Sequence, residues 1–410
     1  MIKKPNKDPC FPQNHRPISL LPTLGKVYER VINSRLLSIC DENEVIPDEQ
    51  CGFRSEHGTQ EQLLRVTDFI SRSLNENKFA LGVFLDIERA FDSVWHPAIL
   101  LKLINHNFPS NLVKLVKNFL TGRTFRIKVN HSLSDVFNIT AGVPQGAVLS
   151  PTLFNIFASD LPNSLELSPH GNLIVASYAD DVALIVKSGK ANLAQEYLQS
   201  AITKITKWYR TNRIQLNADK TVLTLFTRNY EPPSLKLKIN SQIIQSSNEA
   251  KYLGVILDSK LKFSSHITKT LGKAYAAKNK LFPLLRHSSK LNLLNKKLIY
   301  TSFIRPLLTY GAPIWHHMLT KTNKKKLQVF QNKFVRLITK APWYCTNAQL
   351  HKDVDLELLS DHVAKLTNNF ANKINVHPNK IISDLSKIDI TQSKIPRPLF
   401  NIKRLNHDPP

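Results

Sequence analysis

Two apolar runs, Leu173-Ile174-Val175-Ala176-Ser177-Tyr178 and Val182-Ala183-Leu184-Ile185-Val186, are separated only by Ala179-Asp180-Asp181. Each run has the length and β-branched content of a buried strand, so the pair reads as a hairpin with a tight turn at the two aspartates. Adjacent carboxylates at such a tip repel each other, and the fold has to bring positive charge to them. A third carboxylate, Asp86, closes another strand-like run, Gly82-Val83-Phe84-Leu85. Brought together, Asp86, Asp180 and Asp181 make a set of hard oxygen donors. Such a set suits a pair of Mg²⁺ ions roughly 3.5–4 Å apart, with Mn²⁺ as a substitute. Two such ions activate an attacking hydroxyl and stabilise departing pyrophosphate, so the three residues point to template-directed nucleotidyl transfer.

The charge balance supports a polyanionic partner. Lys and Arg number 56 against 31 Asp and Glu, a net charge of +25, which predicts phosphate binding with steep salt dependence. On charge alone, a ribosomal-type or membrane-surface protein is the alternative. The 410 residues, 42% hydrophobic and 21% charged, accommodate two or three domains with ample core. Cys10, Cys40, Cys51 and Cys345 show no paired short spacing, and His57 near Cys51 completes no ligand set. Reduced thiols inside a cell are therefore expected rather than a zinc site. The start Met1-Ile2-Lys3-Lys4 lacks the apolar core of a signal peptide. No run approaches the roughly 20 apolar residues of a membrane span. The expectation is an intracellular protein with no membrane partner.

Periodicity divides the chain. Apolar residues at 24, 27, 28, 31, 32 and 36 predict a helix over Leu24 to Leu37, and others are expected over Thr59–Leu74, Pro97–Phe119 and Gln195–Tyr209. Thr124 to Asn138 resembles a hairpin, and Val222–Phe226 a strand. From about Ser264 strands cease and helical patterns continue, which predicts an α+β body with an all-α appendage. There, Leu327, Phe330, Phe334, Leu337 and Ile338 share one helical face, beside Lys324, Lys325, Lys326, Lys333 and Arg336. That face is read as core, its basic flanks turned toward nucleic acid. The last thirty or so residues, with several Pro and no period, are expected to be poorly ordered.

Five further segments carry candidate chemistry, each with a structural alternative left open. In Phe84-Leu85-Asp86-Ile87-Glu88-Arg89-Ala90-Phe91-Asp92, Phe91 can lie against the sugar of an incoming nucleotide or be a core aromatic, with Asp92 a helix N-cap. Gly142-Val143-Pro144-Gln145-Gly146 is a loop before an apolar helix; its glycines allow close approach to a base pair, and Gln145 offers a two-sided amide. Asn14-His15-Arg16-Pro17 places Arg16 at a fixed turn after Lys3, Lys4 and Lys7, a cluster able to meet a triphosphate or simply solvent. Lys220, in Asn217-Ala218-Asp219-Lys220-Thr221, can donate a proton to pyrophosphate or sit exposed. Tyr252-Leu253-Gly254-Val255 reads as a short strand whose Gly lets a primer backbone approach, or as an edge hairpin.

In order along the chain, these segments resemble the reverse transcriptase domain of non-LTR retrotransposons, most closely jockey-type elements. The resemblance is carried by Lys4-Pro5-Asn6-Lys7, Arg16-Pro17-Ile18-Ser19, Gly52-Phe53-Arg54, the segment 84–92, Gly142–Gly146, Tyr178–Asp181, Leu216–Thr221 and Tyr252–Val255; Tyr310-Gly311-Ala312-Pro313-Ile314-Trp315 matches a segment beyond them. It implies a right-hand polymerase, with fingers and palm over residues 1–257, a thumb over 258–315 and a basic helical extension over 316–410. It further implies metal binding by Asp86, Asp180 and Asp181, and triphosphate contacts from Lys4 and Arg16. Phe91 corresponds to the sugar gate, Gln145 to the nucleotide-pocket glutamine, Lys220 to the lysine near pyrophosphate, and Tyr252, Leu253 and Gly254 to the primer grip. Partners implied are an RNA template, a DNA primer and deoxynucleotides, in the nucleus. The chain starts at the first polymerase motif with no endonuclease ahead of it, so it is read as truncated at its N-terminus, with nicking left to a partner. Ala147 stands where Ser is usual.

An RNA-directed DNA polymerase is thus the first reading. An RNA-directed RNA polymerase also uses a double Asp hairpin, but Phe91 and the Tyr178-Ala179 pair argue against it. A third reading is an RNA-binding remnant without catalysis.

Overall fold

The computed structural model describes residues 2–3, 8–11, 14–129, 131–165, 172–286 and 288–386. Lys4 and Lys7, and the tail expected to be poorly ordered, lie outside the described residues. Two short strands, β1 (Ile2–Lys3) and β2 (His15–Arg16), pair ahead of helices α1 (Thr23–Glu42) and α2 (Thr59–Asn75). Strand β3 (Phe79–Leu85) follows. It leads into the single turn α3 (Ala90–Ser93), then α4 (His96–Asn105) and α5 (Ser110–Leu120). The single helix expected over 97–119 is therefore two. Asn107 takes a left-handed φ of 58°, and Pro109, which cannot continue a helix, becomes the N-cap of α5. The hairpin over 124–138 is a ribbon in which β4 (Thr124–Phe125) pairs with β7 (Phe137–Asn138), and β5 (Lys128–Val129) with β6 (Ser132–Leu133).

After α6 (Ser150–Phe157) come β8 (Leu173–Tyr178), β9 (Asp181–Ser188), α7 (Ala191–Thr211), β10 (Val222–Phe226), β11 (Lys236–Ile239) and β12 (Gln242–Ser247). These strands and β3 form one six-stranded sheet in the order β11-β12-β10-β3-β9-β8. All its pairs are antiparallel except β10 with β12. The segments that carry Asp86, Asp180-Asp181 and Lys220, far apart in sequence, meet because β3 lies between β9 and β10.

Alternation along β3 decides which core each residue enters. Leu81, Val83 and Leu85 point to one face, joining Val182, Leu184 and Val186 of β9 beneath α4, α6 and α7. Ala80 and Phe84 point to the other, joining Ala183, Ile185 and Phe226 beneath α2. That second core continues through the hairpin of β13 (Glu249–Tyr252) and β14 (Val255–Asp258). It then runs into the helices α8 (Ser264–Lys280), α9 (Phe282–Leu285), α10 (Leu293–Ile299), α11 (Arg305–Thr309), α12 (Ala312–Trp315), α13 (Lys321–Thr339), α14 (Asn347–Asp353), α15 (Leu359–Asn375) and α16 (Lys380–Ser383). Leu327, Phe330, Phe334 and Ile338 of α13 are buried in it, as their spacing predicts. Among the described residues no helix is long and apolar enough to cross a membrane.

The helical part also grips the segment between α1 and α2. Lys373 Nζ bonds Glu61 Oε1 at 2.5 Å and the Glu56 carbonyl at 2.7 Å, and Asn379 Nδ2 donates to the Asp48 carbonyl at 2.9 Å. Glu61 is only 3% exposed, and Lys373 is the cation that reaches it.

Three histidines lie where α8 and α12 meet β14. His266 Nδ1 accepts the Ile256 N–H at 3.4 Å, and its ring meets Trp315 edge-on at 5.3 Å. Burial, reinforced by Lys273, lowers His266 to about 4. Burial also lowers His316 to about 4 and His317 to about 3, with Lys324 adding to both. The unfolded chain, with ordinary histidines near 6.5, takes up protons first as pH falls. Stability from these groups is therefore complete above about 6.5 and lost on descending toward 4. His266 alone accounts for about 3 kcal/mol of this loss. Urea unfolding at stepwise lower pH checks the expectation, and His266→Asn should flatten the slope while lowering stability at neutral pH.

Candidate active site

The turn joining β8 to β9 consists of Ala179 and Asp180, with Tyr178 paired to Asp181 across it. The expected Asp180-Asp181 turn is thus shifted by one residue, and Asp181 is the first residue of β9. Ala179 carries a left-handed φ of 56°, a conformation costing a non-glycine residue roughly 1–2 kcal/mol. The segment ahead of α2 holds it there. Gln50 Oε1 accepts the N–H groups of both Gly52 and Ala179 at 2.8 Å, and Gln50 Nε2 donates to the Ala179 carbonyl at 3.3 Å. Cys51 N–H donates to the Ser177 carbonyl and Ser177 N–H to that of Glu49, at 2.9 and 3.0 Å. Buried Gln62 donates to the Ser177 and Glu49 carbonyls, and buried Asn155 to that of Gly52. Gly52 approaches so closely that a Cβ there would stand 2.2 Å from the Ala179 nitrogen.

Asp86 follows the last residue of β3, beside the first residues of β9. Its carbonyl accepts the Asn217 N–H at 2.9 Å, its N–H reaches Thr221 Oγ1 at 3.4 Å, and Lys220 Nζ stands 3.3 Å from its Oδ2. Both hairpin aspartates feel the charge of Asp86. Burial and the Asp86 charge raise Asp180 above the usual carboxylate range, an effect Arg16 opposes. Asp181 opens to solvent on one side, yet the protein body behind it, then Asp180 and Asp86, push it up to about 6 against the pull of Lys251. A small pocket of about 80 Å³ is lined by Asp86, Asp181, Lys220, Lys251 and Tyr252.

Hard oxygen donors whose proton affinity is raised by crowding fit a hard divalent cation, which relieves the same repulsion. As they stand, the side chains do not close on a common point: among the described residues no three His, Cys, Asp or Glu have cation-holding geometry.

The loop of Gln145 is fastened to α3. Val143 N–H donates to the Phe91 carbonyl and Gly142 N–H to that of Val94, both at 2.8 Å, and Gln145 Nε2 donates to Asp92 Oδ1 at 3.0 Å. Asp92 lies within the α3 turn and is not its N-cap, which is Arg89. The Gln145 carbonyl accepts the Ser19 N–H at 2.8 Å, which brings the stretch after exposed Arg16 onto the same loop. Phe91 is half-buried, stacked on Phe154 at 5.0 Å and edge-on to Phe53 at 5.9 Å. Phe91 is thus packed on one side and open on the other.

Tyr252-Leu253-Gly254-Val255 is a tight hairpin between β13 and β14, not a continuous strand. Leu253 (φ 43°) and Gly254 (φ 84°) both adopt left-handed backbone, the signature of a two-residue hairpin turn. Tyr252 is buried, its hydroxyl donating to the Ala176 carbonyl in β8 at 3.0 Å. Tyr310 covers the turn, donating to the Leu253 carbonyl at 2.9 Å and lying 3.0 Å from Thr59 Oγ1. Of these positions, Gln50, Gln62, Asn155 and Lys251 were not singled out in the sequence. Three are polar residues whose burial no local pattern announces, though Gln62 within Leu63-Leu64 helical surroundings is a hint.

A mostly antiparallel sheet with helices on both faces thus brings one aspartate at a strand end beside two at the adjoining hairpin. The chain belongs to the reverse transcriptase (RNA-dependent DNA polymerase) family, which it matches over residues 2–257; this is a family of metal-dependent polymerases. It is 37% identical over 413 residues to the RNA-directed DNA polymerase from mobile element jockey of Drosophila melanogaster, covering 100% of this chain and 44% of that protein. It is 36% identical over 389 residues to the probable RNA-directed DNA polymerase from transposon X-element of the same organism, covering 94% and 42%. The chain thus spans less than half the length of these curated relatives. Telomerase from Candida tropicalis with the TWJ fragment of telomeric RNA is a similar solved structure, with a TM-score of 0.43 and 14% identity over 90% of this chain and 57% of that one.

Gly52→Ala should displace the Ala179 turn because backbone, not a flexible side chain, blocks the added methyl. Nucleotide incorporation is expected to fall about a hundredfold, the scale of a misplacement near 1 Å. A single-turnover assay beside an unfolding curve checks this, a fall in incorporation at an unchanged unfolding midpoint marking the turn rather than the fold.

Proposed function

We propose that this chain is the polymerase part of a non-LTR retrotransposon reverse transcriptase, extending a DNA primer with deoxynucleotides along an RNA template. The observation that carries the reading is the meeting of Asp86 with the clamped Asp180-Asp181 hairpin in a chain of this family. Asp86, Asp180 and Asp181 would hold two Mg²⁺ ions, with Mn²⁺ able to substitute. When bound, these neutralise phosphate charge and lower the pKa of the primer hydroxyl.

The chain's own residues do the rest. Lys220, 62% exposed and already beside Asp86, is free to swing to the pyrophosphate as phosphate charge arrives. Arg16, whose charge reaches Asp180, meets the triphosphate together with Lys4. Gln145, its amide oriented by Asp92, lines the nucleotide pocket. The Leu253-Gly254 turn presents backbone to the primer, and Tyr252 positions it from beneath. Residues up to 257 act as fingers and palm, 258–315 as the thumb, and the basic helices after 315 extend it along the nucleic acid. The nick that supplies a primer end requires an endonuclease activity, and the setting is nuclear.

Primer extension on an RNA template with Mg²⁺ and deoxynucleotides tests the reading. Asp180→Ala and Asp181→Ala should each lose product by about a thousandfold or more while retaining salt-sensitive RNA binding. Normal extension by both variants would sink the assignment. A wild-type chain that binds RNA without extending would instead favour a non-catalytic remnant.

Phe91 is held rigid between Phe53 and Phe154, so its open side can exclude a 2′-hydroxyl. Phe91→Ala is expected to raise ribonucleotide over deoxynucleotide use by at least about tenfold, equivalent to about 1.4 kcal/mol. Unchanged sugar selection in competition assays would assign the ring to packing alone.

A further inference from the structure

Far along the chain from the aspartates, the link between α13 and α14 displays two aromatic rings. Trp343 is 89% and Tyr344 70% exposed, their rings 6.0 Å apart and nearly perpendicular. Burying such rings is among the largest gains a fold can make, so exposing both is unusual. The link is also built rather than loose. Cys345 N–H donates to the Pro342 carbonyl at 3.2 Å, closing a turn with Trp343 and Tyr344 at its two corners. Corner positions ordinarily favour Gly, Asn, Asp, Ser or Pro.

Arg336 locks this turn from within. Its Nε donates to Asn347 Oδ1 at 3.0 Å, and its two terminal nitrogens donate to the Pro342 and Cys345 carbonyls at 3.3 and 2.6 Å. Thr346 then caps α14, its Oγ1 accepting the Gln349 N–H at 3.2 Å. The chain that leads into the turn is basic. From Lys321 to Lys352 the chain has eight Lys and Arg and no Asp or Glu. Rigid exposed rings just past a basic helix combine the two elements that single strands require, a stacking surface and phosphate attraction.

We infer that Trp343 and Tyr344 form a stacking platform for the bases of single-stranded nucleic acid, apart from the polymerase centre. Because every base has a π face, RNA and DNA single strands are both ligands, and duplex, whose bases are already stacked, is not. A short acidic or apolar protein segment is the competing occupant. The platform needs nothing from the catalytic reading and is tested by binding alone.

The probes are a short unstructured RNA carrying a fluorescent label, the DNA of the same sequence and the matching duplex, followed by anisotropy over a salt series. Substituting both residues, Trp343→Ala with Tyr344→Ala, should weaken both single strands by about ten- to a hundredfold and leave duplex affinity and the salt slope unchanged. Trp343→Phe with Tyr344→Phe should recover most of the loss. Both rings are exposed, so an unaltered unfolding midpoint is expected for every variant. Unchanged single-strand affinity, or an equal loss on duplex, would overturn the platform and leave the rings to a protein contact. A chain that fails to extend primers but shows the differential loss keeps the platform.

Discussion

One buried amide decides where the two hairpin aspartates stand. Gln50 accepts the N–H groups of Gly52 and Ala179 with one oxygen and returns a donor to the Ala179 carbonyl. These bonds offset the left-handed backbone at Ala179, at about 1 kcal/mol each. Without that conformation the two-residue turn does not close, Tyr178 does not pair with Asp181, and the alternation setting the faces of β9 is lost. The clamp is itself braced from the helical side. Lys373 and Asn379 hold the segment 48–61 by its carbonyls and Glu61, and Tyr310 ties Thr59 to the Leu253-Gly254 turn. The helices beyond residue 258 are thus part of what fixes the aspartates.

The sheet adds rigidity because it has no free face at its centre. β3 sends alternate residues into two separate cores, so a shift of Asp86 relative to β9 would disturb packing on both sides. Electrostatics acts against this scaffold. Like charges raise the proton affinity of Asp180 and Asp181, yet backbone bonds prevent the hairpin from relaxing away. Strain of this kind is stored where a cationic ligand is to be bound.

Local features were legible in the sequence where they depended on apolar pattern. β8 and β10 begin and end where their hydrophobic runs predict, and α2 does so within a residue, because sheet and helix burial impose periods that side-chain type records. The turn between β8 and β9 was misplaced by one residue because alanine gives no sign of left-handed backbone; a partner 129 positions away supplies it. The reading of Tyr252–Val255 as a strand failed for a related reason, since Leu253 shares the left-handed turn with Gly254. Gln50 and Gln62 resemble surface residues in composition, and only tertiary packing makes their amides the fastening of the site. Tyr310 to Trp315 could be noticed as a segment, but its role came with the structure: Trp315, fully buried, donates to the Tyr310 carbonyl and so aims the hydroxyl at the Leu253 turn.

The charges around the centre divide by mobility. The anionic groups sit on backbone fixed by the clamp and the sheet, whereas Lys220, Lys251 and Arg16 lie on exposed side chains with little holding them. An exposed pair such as Lys220 with Asp86 is worth at most about 1 kcal/mol in water, so it breaks readily when a more highly charged group arrives. Under the proposed function a triphosphate is such a group, and pyrophosphate must afterwards leave. Fixed acids with loosely held bases are therefore the arrangement that lets one site accept and release polyphosphate repeatedly, because the residues that must let go are those the fold restrains least.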